Sequence, residues 1–419
     1  MARFIDKNDL KSADVTVNGD GSFTVRYACE GVPTQRYDYL IVGAGLFGLT
    51  VAQQITERCG KNVLVIDRRS RIGGNAASHF DEETGIEIHE YGAHLFHTNI
   101  ERVWEYANRF TKFTDYTHRV YATHGGEVYP LPINLGTINQ FFHAHYTPAE
   151  AKAEIGRQAG EYADIEPKNL DEQGKKLIGK PLFDAFIRDY TSKQWQTDAT
   201  ELPADIITRL PVRFNYDNRY FTAAHEGLPK DGYDQWFKNM SASTNIAICL
   251  DIDYQDDENP VCAGKTLGLV NTLYTGPIDR LFDYSHGELG WRTVDFDEVR
   301  YDEKDHFGCP VMNFSDKDVK YTRGIEFKNF NPERSDVIEK EKTVVWYERS
   351  RFAERGDEPY YPINSETNAA ILEKYKDDVA GIDRLTVGGR LGDYKYFDMD
   401  RTLDAALNAA DSIVENLRG

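Results

Sequence analysis

Between residues 37 and 66 the hydrophobic pattern changes period twice. Residues 37–42 form a short apolar run, and Gly43-Ala44-Gly45-Leu46-Phe47-Gly48 then opens an amphipathic stretch that reaches Arg58. A second apolar run follows, Val63-Leu64-Val65-Ile66. Strand, glycine turn, helix, strand is the βαβ unit of a doubly wound sheet. Ahead of it, the stretch from Val15 to Val25 alternates apolar and polar residues around Asn18-Gly19 and Asp20-Gly21, a hairpin signal. Residues 1–36 read as a separate extension whose hairpin adds to a sheet edge or a dimer contact.

Helical periodicity runs over 150–162 and 170–190, with Pro148 and Pro167 near the starts. From 208 to 350, short β-favouring runs dominate, among them Arg213-Phe214-Asn215-Tyr216, Thr293-Val294-Asp295-Phe296 and Thr343-Val344-Val345-Trp346-Tyr347. They predict an antiparallel sheet. Near the end, Leu385-Thr386-Val387 runs into Gly388-Gly389, and 402–417 reads as an amphipathic helix. That return implies a first domain which the chain leaves and re-enters. The expected fold is α/β. A discontinuous Rossmann-like domain comprises 37–100, 232–276 and 382–419. A mainly helical domain spans 101–205, and an antiparallel sheet domain takes 206–231 and 277–381.

Composition narrows the function. The 419 residues hold 69 acidic and 49 basic side chains, a formal charge of −20, which argues against nucleic acid or anionic lipid as a partner. No run approaches the roughly 18 apolar residues of a membrane-spanning helix, and the first residues lack an apolar signal core, so a cytoplasmic location is expected. Cys29, Cys59, Cys249, Cys262 and Cys309 are scattered and form no CxxC, as reduced thiols would be. His94 and His97 are spaced as a ligand pair, but no third ligand is legible, and no metal is expected.

The glycine triplet has a physical reading in its context. Gly43 makes the tight turn, Gly45 admits a pyrophosphate to the backbone, and Gly48 permits close helix–strand packing. Asp67 ends the second strand, 22 residues after Gly45, where a carboxylate can accept from ribose hydroxyls. Directly beyond lie Arg68 and the Gly73-Gly74-Asn75 loop, and the C-terminal Gly388-Gly389-Arg390 returns from far away. This second glycine pair resembles the flavoprotein pattern, so FAD is the expected dinucleotide, with Phe47 inside the same turn.

A longer series of motifs is more specific. It comprises Tyr91-Gly92-Ala93-His94-Leu95-Phe96-His97-Thr98, Tyr190-Thr191-Ser192-Lys193-Gln194-Trp195, Thr208-Arg209-Leu210-Pro211-Val212-Arg213, Asp217-Asn218-Arg219-Tyr220-Phe221 and Tyr274-Thr275-Gly276-Pro277-Ile278-Asp279. Tyr321-Thr322-Arg323, Glu358-Pro359-Tyr360-Tyr361-Pro362-Ile363-Asn364 and the run from Gly389 to Met399 complete it. From about residue 37 onward the chain resembles the bacterial UDP-galactopyranose mutases, a family of homodimeric flavoenzymes. The extension 1–36 lies outside that resemblance, and its removal is expected to spare flavin binding and activity unless it completes a dimer.

The resemblance implies an isomerase that interconverts UDP-galactopyranose and UDP-galactofuranose through a covalent adduct between flavin N5 and galactose. No net redox change occurs, and NADH or NADPH serves as external reductant. It implies that Arg209 and Arg323 grip the diphosphate, with Tyr220, Tyr361 and Tyr396 donating to it. Phe186 and Tyr190 form the aromatic pair at the uracil, Trp195 sits on a mobile lid, and Asn313 contacts the nucleotide. Glu348 and Asp398 are polar supports near the substrate, while His94, His97 and Arg390 stand beside the flavin. The competing reading is an FAD-dependent oxidoreductase of the amine-oxidase-like class.

Overall fold

The computed structural model describes residues 2–28, 33–207 and 212–418. Six parallel strands form its central sheet, in the order Arg3–Ile5, Ile246–Cys249, Val63–Ile66, Tyr39–Val42, Thr272–Tyr274 and Leu385–Val387. The four inner strands are buried at every position, as continuous apolar strands must be when both faces of a parallel sheet are covered. Alternate residues serve opposite faces. Ile41, Val63 and Val65 pack with Leu49 and Ile55 of the helix Leu46–Cys59 and with Leu403 and Ala406 of the helix Met399–Arg418. Leu40, Val42, Leu64 and Ile66 face the other way, into a cluster with Leu10, Phe23, Val25 and Tyr37.

That second cluster corrects the reading of 1–36 as a separate extension. Its hairpin strands Asp14–Val17 and Phe23–Arg26 form as expected and gain a third, Gln35–Tyr37. The resulting sheet covers one face of the parallel sheet, while Arg3–Ile5 adds an edge strand. The sequence pattern shows the hairpin but not which surface its apolar side covers.

The second sheet has seven strands, in the order Glu127–Leu131, Val120–His124, Val311–Phe314, Arg323–Glu326, Thr343–Phe352, Trp291–Tyr301 and Tyr361–Pro362. Every pairing is antiparallel except Val120–His124 against Val311–Phe314, so the sheet is mixed. Two of its strands come from 101–205, the span expected to be mainly helical. Helices in that span concentrate from Leu135 onward, and Val103 and Tyr106 of Glu101–Ala107 belong instead to the core under the parallel sheet. The span 206–231 also departs from expectation, since His225–Gly227 pairs with Phe96–Thr98. Within Arg213-Phe214-Asn215-Tyr216 there is only an isolated bridge from Arg213 to Asn134. Arg213 donates to the Ile133 carbonyl and Leu135 to the Asn215 carbonyl, both at 2.9 Å, but the partner turns at once into the helix Leu135–Phe141, so the ladder goes no further.

The expected helix over 170–190 is broken. Leu170–Ile178 ends at Gly179, whose φ of +79° stops it, and a π-turn at Asp184–Arg188 precedes the short helix Asp189–Trp195. Among the described residues no helix is long and apolar enough to cross a membrane.

Candidate functional site

The parallel sheet reverses its strand order beside Tyr39–Val42, and a cleft with about 1120 Å³ of open space lies at the carboxyl ends of the strands there. Gly43, Gly45, Phe47, Asp67, Arg68, Gly74, Asn75, His94, Gly389 and Arg390 all line it. Gly48 does not, for a packing reason: a Cβ there would lie 2.1 Å from the Gly43 carbonyl oxygen. The two glycine loops also meet each other. The Gly73 amide donates to the Ala44 carbonyl at 2.8 Å, and a Cβ on Gly74, whose φ is +60°, would sit 2.9 Å from the Gly45 Cα. Phe47 lies against the Gly388-Gly389 return, which closes the far wall.

Asp67 accepts from the amides of Ala44 at 2.7 Å and Arg69 at 2.8 Å, so it fastens the first glycine loop to the end of its strand. Burial raises its pKa while these amides pull it down. Each carboxylate oxygen keeps a lone pair for a hydroxyl donor. The glycine cradle, the bare amides at the start of Leu46–Cys59 and this carboxylate fit a dinucleotide pyrophosphate and ribose.

Beyond the His94 end of the cleft, three neighbouring strands bring polar groups into one row. Asn313 pairs in register with Arg323, and Arg323 with Glu348. Arg323 Nε donates to Glu348 Oε2 at 2.8 Å, and Nη2 lies 2.8 Å from the same oxygen. Burial opposes the charge on Arg323, but Glu348, with Tyr190 and Tyr361 beside it, outweighs that and keeps the guanidinium protonated. Burial likewise raises the phenols of Tyr190, Tyr361 and Tyr396, which stay protonated donors. Tyr361 and Tyr396 have ring centroids 5.7 Å apart, with Arg390 over the Tyr396 ring at 5.1 Å. Tyr396 donates to Asp398 at 2.7 Å. Tyr220 is half-exposed at the edge of this cluster, close enough to Tyr190 to influence it.

His94 Nδ1 lies 2.7 Å from the Gly92 carbonyl, which makes it the donor and leaves Nε2 as an acceptor. Burial lowers its pKa to about 4, and Arg390 and Arg323 push the same way. His97 takes a different place. It stacks on Phe221 at 3.7 Å and is not part of the cleft lining. Phe186 is only 2% exposed and packs on Phe141 and, from two sheet strands, on Tyr129 and His124, so its ring is enclosed by other aromatic side chains. Trp195 is partly buried against the core that holds Phe186. Arg209 lies outside the described residues.

Several groups escaped the sequence reading although they stand inside or next to its motifs. Glu358 pairs with Arg68 at 2.5 Å and also with Arg69, whose guanidinium lies 4.2 Å over Tyr91. Arg280, one residue past the Tyr274–Asp279 motif, lines the cleft and pairs with Asp253 at 2.5 Å. Arg292 is 2% exposed, donates to the Gln194 carbonyl at 2.7 Å, and is lowered by burial to about 10.

Comparison with known proteins agrees with this layout. A family model described as UDP-galactopyranose mutase matches residues 185–396, and one described as an NAD(P)-binding Rossmann-like domain matches 41–110. A probable UDP-galactopyranose mutase of Klebsiella pneumoniae is 42% identical over 378 residues, covering 90% of this chain and 95% of that protein. A dTDP-fucopyranose mutase of Escherichia coli is 37% identical over 378 residues, covering 90% and 98%. A crystal structure of reduced UDP-galactopyranose mutase aligns with a TM-score of 0.68 at 15% identity over 91% of this chain and 94% of that one. A putrescine oxidase mutant aligns with a TM-score of 0.52 at 12% identity over 91% and 99%, a likeness of fold.

Proposed function

The chain belongs to the UDP-galactopyranose mutase family, and from that premise we propose that it interconverts UDP-galactopyranose and UDP-galactofuranose on FAD held in the glycine-lined cleft. The observation that carries this reading is the position of Arg323. It is a permanent cation fixed by Glu348 and ringed by protonated phenols, beyond the end of the dinucleotide cleft. A nucleoside diphosphate suits that setting, because planar guanidinium and phenolic donors meet its oxygens without needing to titrate.

When bound, reduced FAD supplies a nucleophile for the anomeric carbon, with no net redox change over the cycle. The chain's own residues do the rest. Arg323, joined by Arg209 in the sequence reading, holds the diphosphate as it leaves and keeps it at hand for return. Tyr361 donates to its oxygens, and Tyr396, whose single O–H is given to Asp398, joins it on releasing that carboxylate. Tyr190 offers its ring to the base. His94, neutral and with Nδ1 committed to Gly92, offers Nε2 as an acceptor on the cleft side. The helix Asp189–Trp195 covers the site and limits water.

NADH or NADPH as reductant, a homodimer and a cytoplasmic location are part of the same proposal. The direct test reduces the flavin-loaded protein chemically, supplies UDP-galactofuranose and follows UDP-galactopyranose by chromatography. Many turnovers per reducing equivalent are expected. Consumption of one equivalent per product would instead favour an oxidoreductase. The dTDP-fucose pair, run in parallel, should turn over more slowly.

A further inference from the structure

Lys193 lies on the helix Asp189–Trp195, one turn after Tyr190 and two residues before Trp195. Its ammonium donates to four backbone carbonyls: Phe314 at 2.6 Å, Asp316 at 2.8 Å, Val319 at 3.0 Å and Tyr321 at 3.0 Å. These carbonyls belong to the turn that joins the strand of Asn313 to the strand of Arg323. The turn is closed by the Phe314 amide on the Thr322 carbonyl at 2.9 Å. An ammonium has three N–H groups, so four acceptors exhaust them, with one shared. Neutral lysine has two N–H groups and no charge to hold four carbonyl dipoles together.

We propose that Lys193 is a positioning residue for the nucleotide site: its ammonium clasps the Phe314–Tyr321 turn and so sets Tyr190 on the helix against Arg323 on the sheet. Lys193 does not touch the nucleotide itself; it acts through the two residues that do, Tyr190 at the base and Arg323 at the diphosphate. The inference rests on the reading of Arg323 and Tyr190 as nucleotide contacts. Its electrostatic surroundings are Asp189 on its own helix and Asp316 in the clasped turn. His124, on the neighbouring strand, has Nδ1 2.8 Å from Asp316, and the Tyr321 phenol is tied to Asp297 at 2.7 Å. Burial lowers the Lys193 pKa to about 8 against the pull of the two aspartates, so the clasp should loosen above that pH.

The test measures UDP binding by calorimetry to the flavin-loaded, oxidised protein from pH 7 to pH 9.5, beside KM and kcat of the reduced enzyme. Wild-type Kd for UDP should rise about tenfold across that range. Lys193→Met should bind UDP at least tenfold more weakly at pH 7.5 while retaining its flavin spectrum, with the loss in KM rather than kcat. Lys193→Arg, which keeps its charge, should show a flat Kd. A Lys193→Met protein that binds UDP like wild type overturns the proposal. So does a wild-type affinity that is flat to pH 9.5, or a Lys193→Arg protein that weakens above pH 8 as wild type does. If Lys193→Met is insoluble, the arginine variant decides alone. Wild-type protein that binds no UDP at all would instead overturn the nucleotide-site reading beneath this one.

Discussion

Arg323 directs both Nε and Nη2 at a single oxygen of Glu348, each 2.8 Å away, across two strands paired in register. Glu348 is 5% exposed, so its end of the pair is sheltered from water, while the Arg323 side chain stays 28% open. The carboxylate holds the fork in one orientation and leaves the Nη1 side for a ligand. Glu348→Gln preserves shape but removes the charge that holds Arg323 in place. Losing a charge-assisted hydrogen bond costs about 1.5–3 kcal/mol, so UDP affinity should fall about 10- to 100-fold. Calorimetry on the flavin-loaded variant measures it, and unchanged affinity would remove Glu348 from the site.

Gly48 tests the cofactor cradle. A Cβ there meets the Gly43 carbonyl oxygen at 2.1 Å, and neither group can swing away because both are backbone. Gly48→Ala must push the helix Leu46–Cys59 off its strand and spread the loop. The expected protein is colourless or binds FAD at least 100-fold more weakly. A normal flavin absorbance spectrum at stoichiometric content would refute the packing argument.

Stability should depend on pH through His118. It is 3% exposed, and burial, with Arg323 and His97 nearby, lowers its pKa to about 3. An unfolded histidine titrates near 6.5. Below that pH the unfolded chain takes up a proton that the native chain refuses, so stability is lost as pH falls from about 6.5 toward 3. By pH 5.5 this one residue should cost about 1 kcal/mol. Denaturant unfolding at pH 7.5 and 5.5 measures the difference, and His118→Phe should shrink it. An unchanged pH dependence in that variant would assign the effect to other groups.

Deletion of residues 2–36 should now be damaging rather than silent. Leu10, Phe23, Val25 and Tyr37 are at most 1% exposed and meet Leu64 and Ile66 of the parallel sheet. The deletion removes the first three. Each fully buried side chain of this kind contributes about 1.5–3 kcal/mol, and the loss uncovers apolar surface on the cofactor sheet as well. The truncated protein should aggregate or lose FAD, and soluble, flavin-loaded protein of normal melting temperature would contradict this.

The chain's local signals announced the residues that line the cleft at the end of the parallel sheet. Gly43, Gly45, Gly48 and Gly74 stand within 32 consecutive residues, with the Asp67 carboxylate between them, and the places of the glycines rest on backbone conformation and close approach, which contiguous sequence encodes. Strands with both faces covered read as continuous apolar runs for the same reason. The distant return at Gly388-Gly389 was also legible, because glycine pairs after a short strand are informative wherever they occur.

Only the tertiary structure decided the rest. The Arg323–Glu348 pair depends on the register of two strands whose partners lie 25 residues apart, and one residue of slip would put the two side chains on opposite faces of the sheet. The sealing of Phe186 in an aromatic core, the stacking of His97 on Phe221 and the four carbonyls around Lys193 join separate segments, and nothing local to any of them specifies the meeting. The extension shows the division within one segment. Its hairpin was written in the alternation of Val15 to Val25, because a strand's two faces are a local property. Its burial against Leu64 and Ile66 was not, since the face an apolar side covers is chosen by the packing of the whole chain.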